Sequence, residues 1–239
     1  MAADQAISAE EGKLLDDIVA HYRDTELALA NRVARNLLGL FSDDEGLMRL
    51  IHSMKGRPKD PNRLKDKLER KLSQCKRDGT TFDITPENLF DKINDLAGVR
   101  LLHLHTSQFR EINERLSSLL TAEGYRIREG PIARAWDDEY RKVFTDLGVE
   151  TKPALRMYTS VHYVVGTAAR QIQTAEIQVR TLAEELWGEV DHSFNYPHEY
   201  PDVACVEQIK VLARITMGAT RLVDSIYKSR EDAERRRGS

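Results

Sequence analysis

The sequence predicts an α+β protein with a mixed, partly antiparallel β-sheet of about five strands flanked by helices. Three observations carry that expectation. Apolar residues recur at helical spacing from Gly12 to about Leu40 and again through the C-terminal segment. The stretches GVRLLHLH, MYTSVHYVV and TAEIQVRT are apolar, β-branched runs of strand length. The last two are separated only by a small polar loop around 166–170, which favours an antiparallel hairpin.

Taken in order, Leu14, Ile18 and Tyr22 form one helical stripe, and Val33 and Leu37 a later one. In RPKDPNRLKDKLERKL, Asp60 is placed to cap a helix whose first position is Pro61. Leu64, Leu68 and Leu72 would then face the core, with Arg63, Lys67 and Lys71 on another face. Thr85 before Pro86 and Glu87 starts a short helix to about Asn94, and Asp95 follows it at the mouth of the GVRLLHLH strand. Ser107–Glu123 returns to helical periodicity. Tyr125–Arg128 reads as a strand, and Asp137–Leu147 as a charged helix stopped by Gly148. After the hairpin, Leu182, Leu186 and Val190 mark a helix that YPHEYP interrupts at Pro197 and Pro201. Cys205, Ile209, Leu212, Ala219, Leu222 and Ile226 mark a long helix leading into the charged tail REDAERRRGS. These elements divide the chain into an N-terminal helical segment (1–50), a core (51–200) and a C-terminal helix with tail (201–239).

With 239 residues, 41% hydrophobic and 31% charged, the chain is long and apolar enough to bury a core. It shows no secretory leader and no membrane-spanning run, so the expected location is cytoplasmic. Its two cysteines, Cys75 and Cys205, have no metal-ligand or redox spacing. The net charge of −3 hides a local excess: Lys55–Arg77 holds ten basic residues against three acids. That excess suits an anion.

Strand alternation places Glu176, Gln178 and Arg180 on one sheet face, with Ile177 and Val179 on the other. Tyr158, Ser160 and His162 likewise share a face. If the two polar faces coincide, an acid, an amide, a guanidinium and an aromatic ring lie side by side. Carboxylates on two separate elements, Asp95 and Glu176, could hold Mg²⁺. Arg57, Lys59, Arg63, Lys67 and Arg100 could neutralise phosphates, as phosphoryl transfer requires. No Walker-type glycine loop is present, so basic side chains would have to carry that role. Taken singly, each of these residues better suits an ordinary surface or helix-end position.

Taken together and in order, GRPKDPNRLKDKLERK, NDLAGVR, MYTSVHYVV, AEIQVRTLAEELWGEVDH and the following NYP resemble the synthetase domain of the RelA/SpoT alarmone synthetases. The resemblance runs from about Lys55 to Tyr196. It implies a nucleotidyltransferase-like fold and transfer of the β,γ-pyrophosphate of ATP to the 3′-hydroxyl of GDP or GTP, giving (p)ppGpp and AMP. By the same resemblance Asp95 coordinates Mg²⁺, and Glu176 helps hold the metal and activates the attacking hydroxyl. Arg57, Lys59, Lys67 and Arg100 match positions that contact ATP, and Arg63, from the same basic segment, is expected beside them. Tyr158 stacks on the acceptor base, and Ser160, His162, Gln178, Arg180 and His192 line the acceptor pocket.

The departures gather at the acceptor. Where the family reads Asn-Gly-Tyr-Arg/Lys-Ser-x-His, this chain has RMYTSVH, so Thr159 replaces a basic residue and Arg156 could compensate. Arg63 replaces a frequent serine. The hydrolase motifs of larger relatives are missing, which points to a small, synthesis-only enzyme. Alternative expectations are an adenosine nucleotide or the 3′ end of tRNA as acceptor, as in toxic relatives with an antitoxin partner, or a silent nucleotide- or RNA-binding module. The terminal helices could also pack a homo-oligomer, as small relatives that form tetramers do. No membrane partner is expected.

Overall fold

The computed structural model describes residues 7–154, 156–167, 173–195 and 201–237. The chain opens on α1 (Ala9–His21), capped by Ser8 and Glu11 in a reciprocal box, and passes through a π-turn (Tyr22–Glu26) into α2 (Leu27–Asp43). After α3 (Glu45–Leu50) come β1 (Ser53–Pro58) and α4 (Pro61–Asp78). Asp60 caps α4 by accepting from the amides of Asn62 and Arg63. Gly79, at φ 66°, ends it in the left-handed conformation. A 3₁₀ turn from Pro86 and α5 (Leu89–Lys92) lead to β2 (Ala97–His103). Next are α6 (Phe109–Ala122), β3 (Tyr125–Ala135), α7 (Asp138–Asp146) and β4 (Glu150–Pro153). The chain closes with β5 (Thr159–Thr167), β6 (Thr174–Thr181), α8 (Leu182–Asn195) and α9 (Val203–Arg237).

The sheet is mixed, as expected, but has six strands in the order β1-β2-β6-β5-β3-β4. β5 and β6 form the expected antiparallel pair, with His162 opposite Gln178, while β2 runs parallel to β6 with Gly98 opposite Glu176. The additional strands are β1 and β4. β1 reads as loop in sequence because SMKGRP is polar and holds glycine and proline, yet pairing with β2 satisfies its backbone. β3 continues to Ala135 rather than stopping near Arg128, with register shifts between Ile127 and Ile132. Those bulges break the alternation that would have shown its second half.

One face of the sheet is dry. Val161, Tyr163, Val165, Ile177 and Val179 are buried there, in one cluster with Leu15, Ile18, Leu37, Leu64, Leu68 and Ile112. The N-terminal helices and the central region therefore share a core. Tyr22, fully buried, donates its hydroxyl to the Lys59 carbonyl at 2.7 Å, tying the first helices to the β1–α4 connection.

Three expected stripes are shifted. In α1 it is Leu15 with Ile18, Val19 and Tyr22 that faces inward, while Leu14 is exposed. In α8 Trp187 is buried and Leu186 exposed. In α9 the buried positions are Ile209, Ala213, Thr216 and Thr220, and Leu222 and Ile226 lie in solvent. Adjacent apolar residues on a helix point about 100° apart, and the neighbouring element decides which is covered. The helix also runs through the charged tail to Arg237. The β5–β6 loop from 168 to 172 and the break around Pro197 lie outside the described residues. No helix among the described residues is long and apolar enough to cross a membrane.

Candidate active site

The polar face of the sheet carries the site. A cleft of about 640 Å³ opens between β1, the start of α4, β2, β6 and α8, lined among others by Arg57, Lys59, Lys67, Asp95, Arg100 and Glu176. A smaller recess of about 190 Å³ lies toward β3, lined by Lys71, Lys92, Arg134 and His162. Lys67, Asp95 and Glu176 belong to both walls. The two carboxylates singled out from sequence thus stand at the junction of two cavities.

Asp95 lies between two lysines. Lys59 Nζ donates to its Oδ2 and Lys67 Nζ to its Oδ1, both at 2.8 Å. Burial alone would raise its pKa, but the two ammonium charges and their hydrogen bonds outweigh that cost and hold it at about 2. Lys59 pays the converse penalty: burial lowers its pKa, with Asp95 opposing. Glu176 is held on both oxygens, Oε1 by His162 Nδ1 at 2.8 Å and Oε2 by the Gln178 amide at 2.8 Å. Burial pushes its pKa up, yet the bond and charge of His162 bring it below the ordinary carboxylate range. His162 Nε2 in turn meets the Tyr158 hydroxyl at 3.0 Å. The order Tyr158, His162, Glu176, Gln178 shows that the polar faces of β5 and β6 do coincide.

The other basic residues divide by position. Burial, then repulsion from Arg100 and Arg63, lowers the pKa of Arg57. Arg100 bonds Glu185 at 3.1 Å and also pairs with Glu189, and these acids raise its pKa against the cost of burial. Arg63 Nη1 contacts His192 Nε2 at 2.9 Å. His192, expected on the acceptor side, therefore lines the large cleft with the residues expected at ATP. Burial, then Arg63 and Arg57, lowers its pKa.

Of the other residues expected at the acceptor, His162 lines the recess, Gln178 lines the large cleft, Tyr158 lines neither, and Arg180 and Ser160 are covered. Arg180 is 3% exposed, lines neither cavity and pairs with Glu185 at 2.5 Å, its guanidinium carbon 5.9 Å from the Tyr158 ring centroid. Alternation gave its face correctly, but α8 folds back over that end of β6 and covers it. Ser160 is buried and donates to the Val179 carbonyl at 3.4 Å, so it belongs to the floor. Arg156 does not replace the basic residue missing at Thr159. It pairs with Asp191 at 3.6 Å and donates to the Asn195 carbonyl, beside a different cavity lined by Trp136, Met157 and Trp187. Thr159 is itself buried.

Residues not foreseen include Lys55, Glu185 and Glu189 around the large cleft, and Lys71, Lys92 and Arg134 around the recess. The one-turn spacing of Glu185 and Glu189 on α8 was a readable sign of a shared face. Arg134 gave none, because the bulges hide the register of its strand.

A model of the region found in RelA/SpoT proteins matches residues 56–200, more than half of the chain. The chain belongs to the RelA/SpoT family. Its fold is shared with several solved structures. A GTP pyrophosphokinase family protein from Streptococcus pneumoniae is 21% identical, with a TM-score of 0.57 over 95% of this chain and 97% of that one. The small alarmone synthetase 2 of Bacillus subtilis is 20% identical, with a TM-score of 0.56 over 87% and 99%. The small alarmone synthetase 1 of Bacillus subtilis, bound to its product pppGpp, is 19% identical, with a TM-score of 0.54 over 93% and 99%. No curated protein matches significantly in sequence.

The chemistry of the site's two carboxylates fits a divalent cation. Asp95 and Glu176 offer ionised, hard oxygen ligands from separate elements, and among the described residues no cluster of three or more metal-ligating side chains encloses them. Two carboxylates would hold such an ion, with water and substrate phosphates completing its shell.

Proposed function

We propose that this protein is a pyrophosphokinase that transfers the β,γ-pyrophosphate of ATP to the ribose 3′-hydroxyl of a guanosine nucleotide, with AMP as the second product. The observation that carries this reading is the shared wall: Asp95, Glu176 and Lys67 border both the large cleft and the recess. A donor lying in one cavity and an acceptor reaching in from the other would meet at the two carboxylates.

In this reading ATP occupies the large cleft. Arg57, Arg63 and Arg100 neutralise its phosphates, and Lys59 and Lys67 exchange their bonds to Asp95 for bonds to phosphate oxygens. Bound Mg²⁺, held by Asp95 and Glu176, would offset the charge that builds on the transferring group. Glu176, fixed on both oxygens, accepts the proton of the attacking hydroxyl by orientation rather than by a raised pKa. The acceptor base stacks on Tyr158. Arg134, with Lys71 and Lys92, supplies the positive charge for acceptor phosphates that Thr159 does not provide.

Incubation with Mg²⁺, γ-labelled ATP and, separately, GDP, GTP, AMP, ADP, ATP and deacylated tRNA tests the assignment. Label is expected on the guanosine nucleotides only. Arg134→Ala should raise the acceptor KM by about tenfold or more, the usual loss for a charged phosphate contact, with little change in the KM for ATP. Label on an adenosine nucleotide or on tRNA would overturn the acceptor class and leave the donor chemistry standing. No transfer to any of them by folded protein would overturn the enzyme reading in favour of a binding module.

A further inference from the structure

We propose that Glu185 is a positioning residue that couples the two nucleotide sites, so that filling one tightens the other. The proposal rests on the nucleotide reading above and goes beyond it. Glu185 is 6% exposed and holds three cations from three strands. Its Oε1 receives Lys55 from β1 at 3.3 Å and Arg100 from β2 at 3.1 Å, both beside the donor cleft. Its Oε2 receives Arg180 from β6 at 2.5 Å. Arg180 in turn reaches toward the ring of Tyr158, within range of a cation–π contact. Arg100 also reaches Oε2, at 3.5 Å, so the one carboxylate joins Lys55 and Arg100 beside the donor cleft to Arg180 behind Tyr158.

Two details mark this as a shaped arrangement. Arg180 lies against α8 where the helix carries Gly188, and a Cβ there would come within 2.7 Å of Arg180 Nη1. Glycine is unfavourable inside a helix, so its presence suits the close passage of the guanidinium. Among the described residues the buried Arg180 Nε has no hydrogen-bond partner, and the far end of the side chain is held by Glu185.

The coupling follows from ordering. A base stacked on Tyr158 restrains Arg180, Arg180 restrains Glu185, and Glu185 restrains Arg100 and Lys55. The first nucleotide pays the entropy of fixing these side chains, and the second binds to a network already fixed.

Calorimetric titration of the Mg²⁺-bearing protein with a non-hydrolysable ATP analogue, with and without GDP, measures the effect. GDP should tighten analogue binding by roughly five- to tenfold in the native chain, in the usual range for coupled sites. In Glu185→Gln the ratio should fall to near one. Gly188→Ala gives a second variant: it alters no charge, its Cβ would displace the Arg180 guanidinium, and it should also lower the ratio, with circular dichroism and a thermal melt showing that each variant is folded. A native ratio of one, or a native ratio kept in folded Glu185→Gln or Gly188→Ala, would overturn the proposal. A native chain that bound no ATP analogue would sink the nucleotide reading and this inference with it.

Discussion

Replacing Asp95 by Asn should weaken the metal-free fold, although active-site substitutions often stabilise. The reason lies in the two lysines. Asp95 has a folded pKa of about 2 against an ordinary 3.8, a difference corresponding to about 2 kcal/mol of favourable interaction for the ionised form. Its folded pKa is depressed, so this stability is fully present above the unfolded value and is lost as pH falls through the folded one. Asn at position 95 would forfeit the attraction and leave Lys59 and Lys67, with side chains 14% and 27% exposed, facing each other without a counter-charge. At pH 7 in chelator, urea unfolding should show a loss of about 2 kcal/mol, or a melting temperature lower by roughly 4–8 °C for a chain of this size. The gap should narrow as pH is lowered from 4 toward 2. An Asp95→Asn chain as stable as the native one at pH 7, or a gap that does not depend on pH, would refute the reasoning.

Other outcomes follow from the same geometry. Glu176→Gln should lower kcat by two to four orders of magnitude while calorimetric nucleotide affinity changes only a few-fold; a near-native kcat would remove Glu176 from the chemistry. Burial raises the pKa of Glu184 to about 7, beyond what its bonds to Thr181 offset. Because the folded state holds this proton more tightly, native stability should decline as pH rises from about 4.5 through 7, and Glu184→Gln, which still accepts from the Thr181 amide, should decline less; equal pH slopes in urea melts would contradict it. Gly130 sits at φ 98°, where a Cβ would fall 2.3 Å from the His162 carbonyl oxygen, so Gly130→Ala should cost about 1–3 kcal/mol and disturb the strand bearing His162, as thermal melts and turnover would show together.

Much of this was legible in the residues because it rested on short-range rules. Asp60 and Pro61 fixed the start of α4, and strict alternation placed Glu176 and Gln178 on the working face of β6. Hairpin pairing then brought His162 to Glu176. What sequence could not supply came from tertiary cover. Whether Leu14 or Leu15 turns inward depends on what packs against α1. Arg180 has the right face for a nucleotide contact, but α8 closes over it and turns it into a partner of Glu185. The bulged β3 hid Arg134, and polar β1 becomes a strand only because β2 accepts it at the sheet edge. His192, expected on the acceptor side, lines the large cleft beside Arg63 because the turn of α8, not chain order, sets its direction.

The most direct test of the central claim is phosphorus NMR of a reaction containing the protein, Mg²⁺, ATP and GDP. AMP should appear one for one with a guanosine nucleotide bearing a new 3′-diphosphate, and both signals should be absent with Asp95→Asn or Glu176→Gln. Release of ADP and inorganic phosphate in place of AMP, or undiminished product from either variant, would contradict transfer at these two carboxylates.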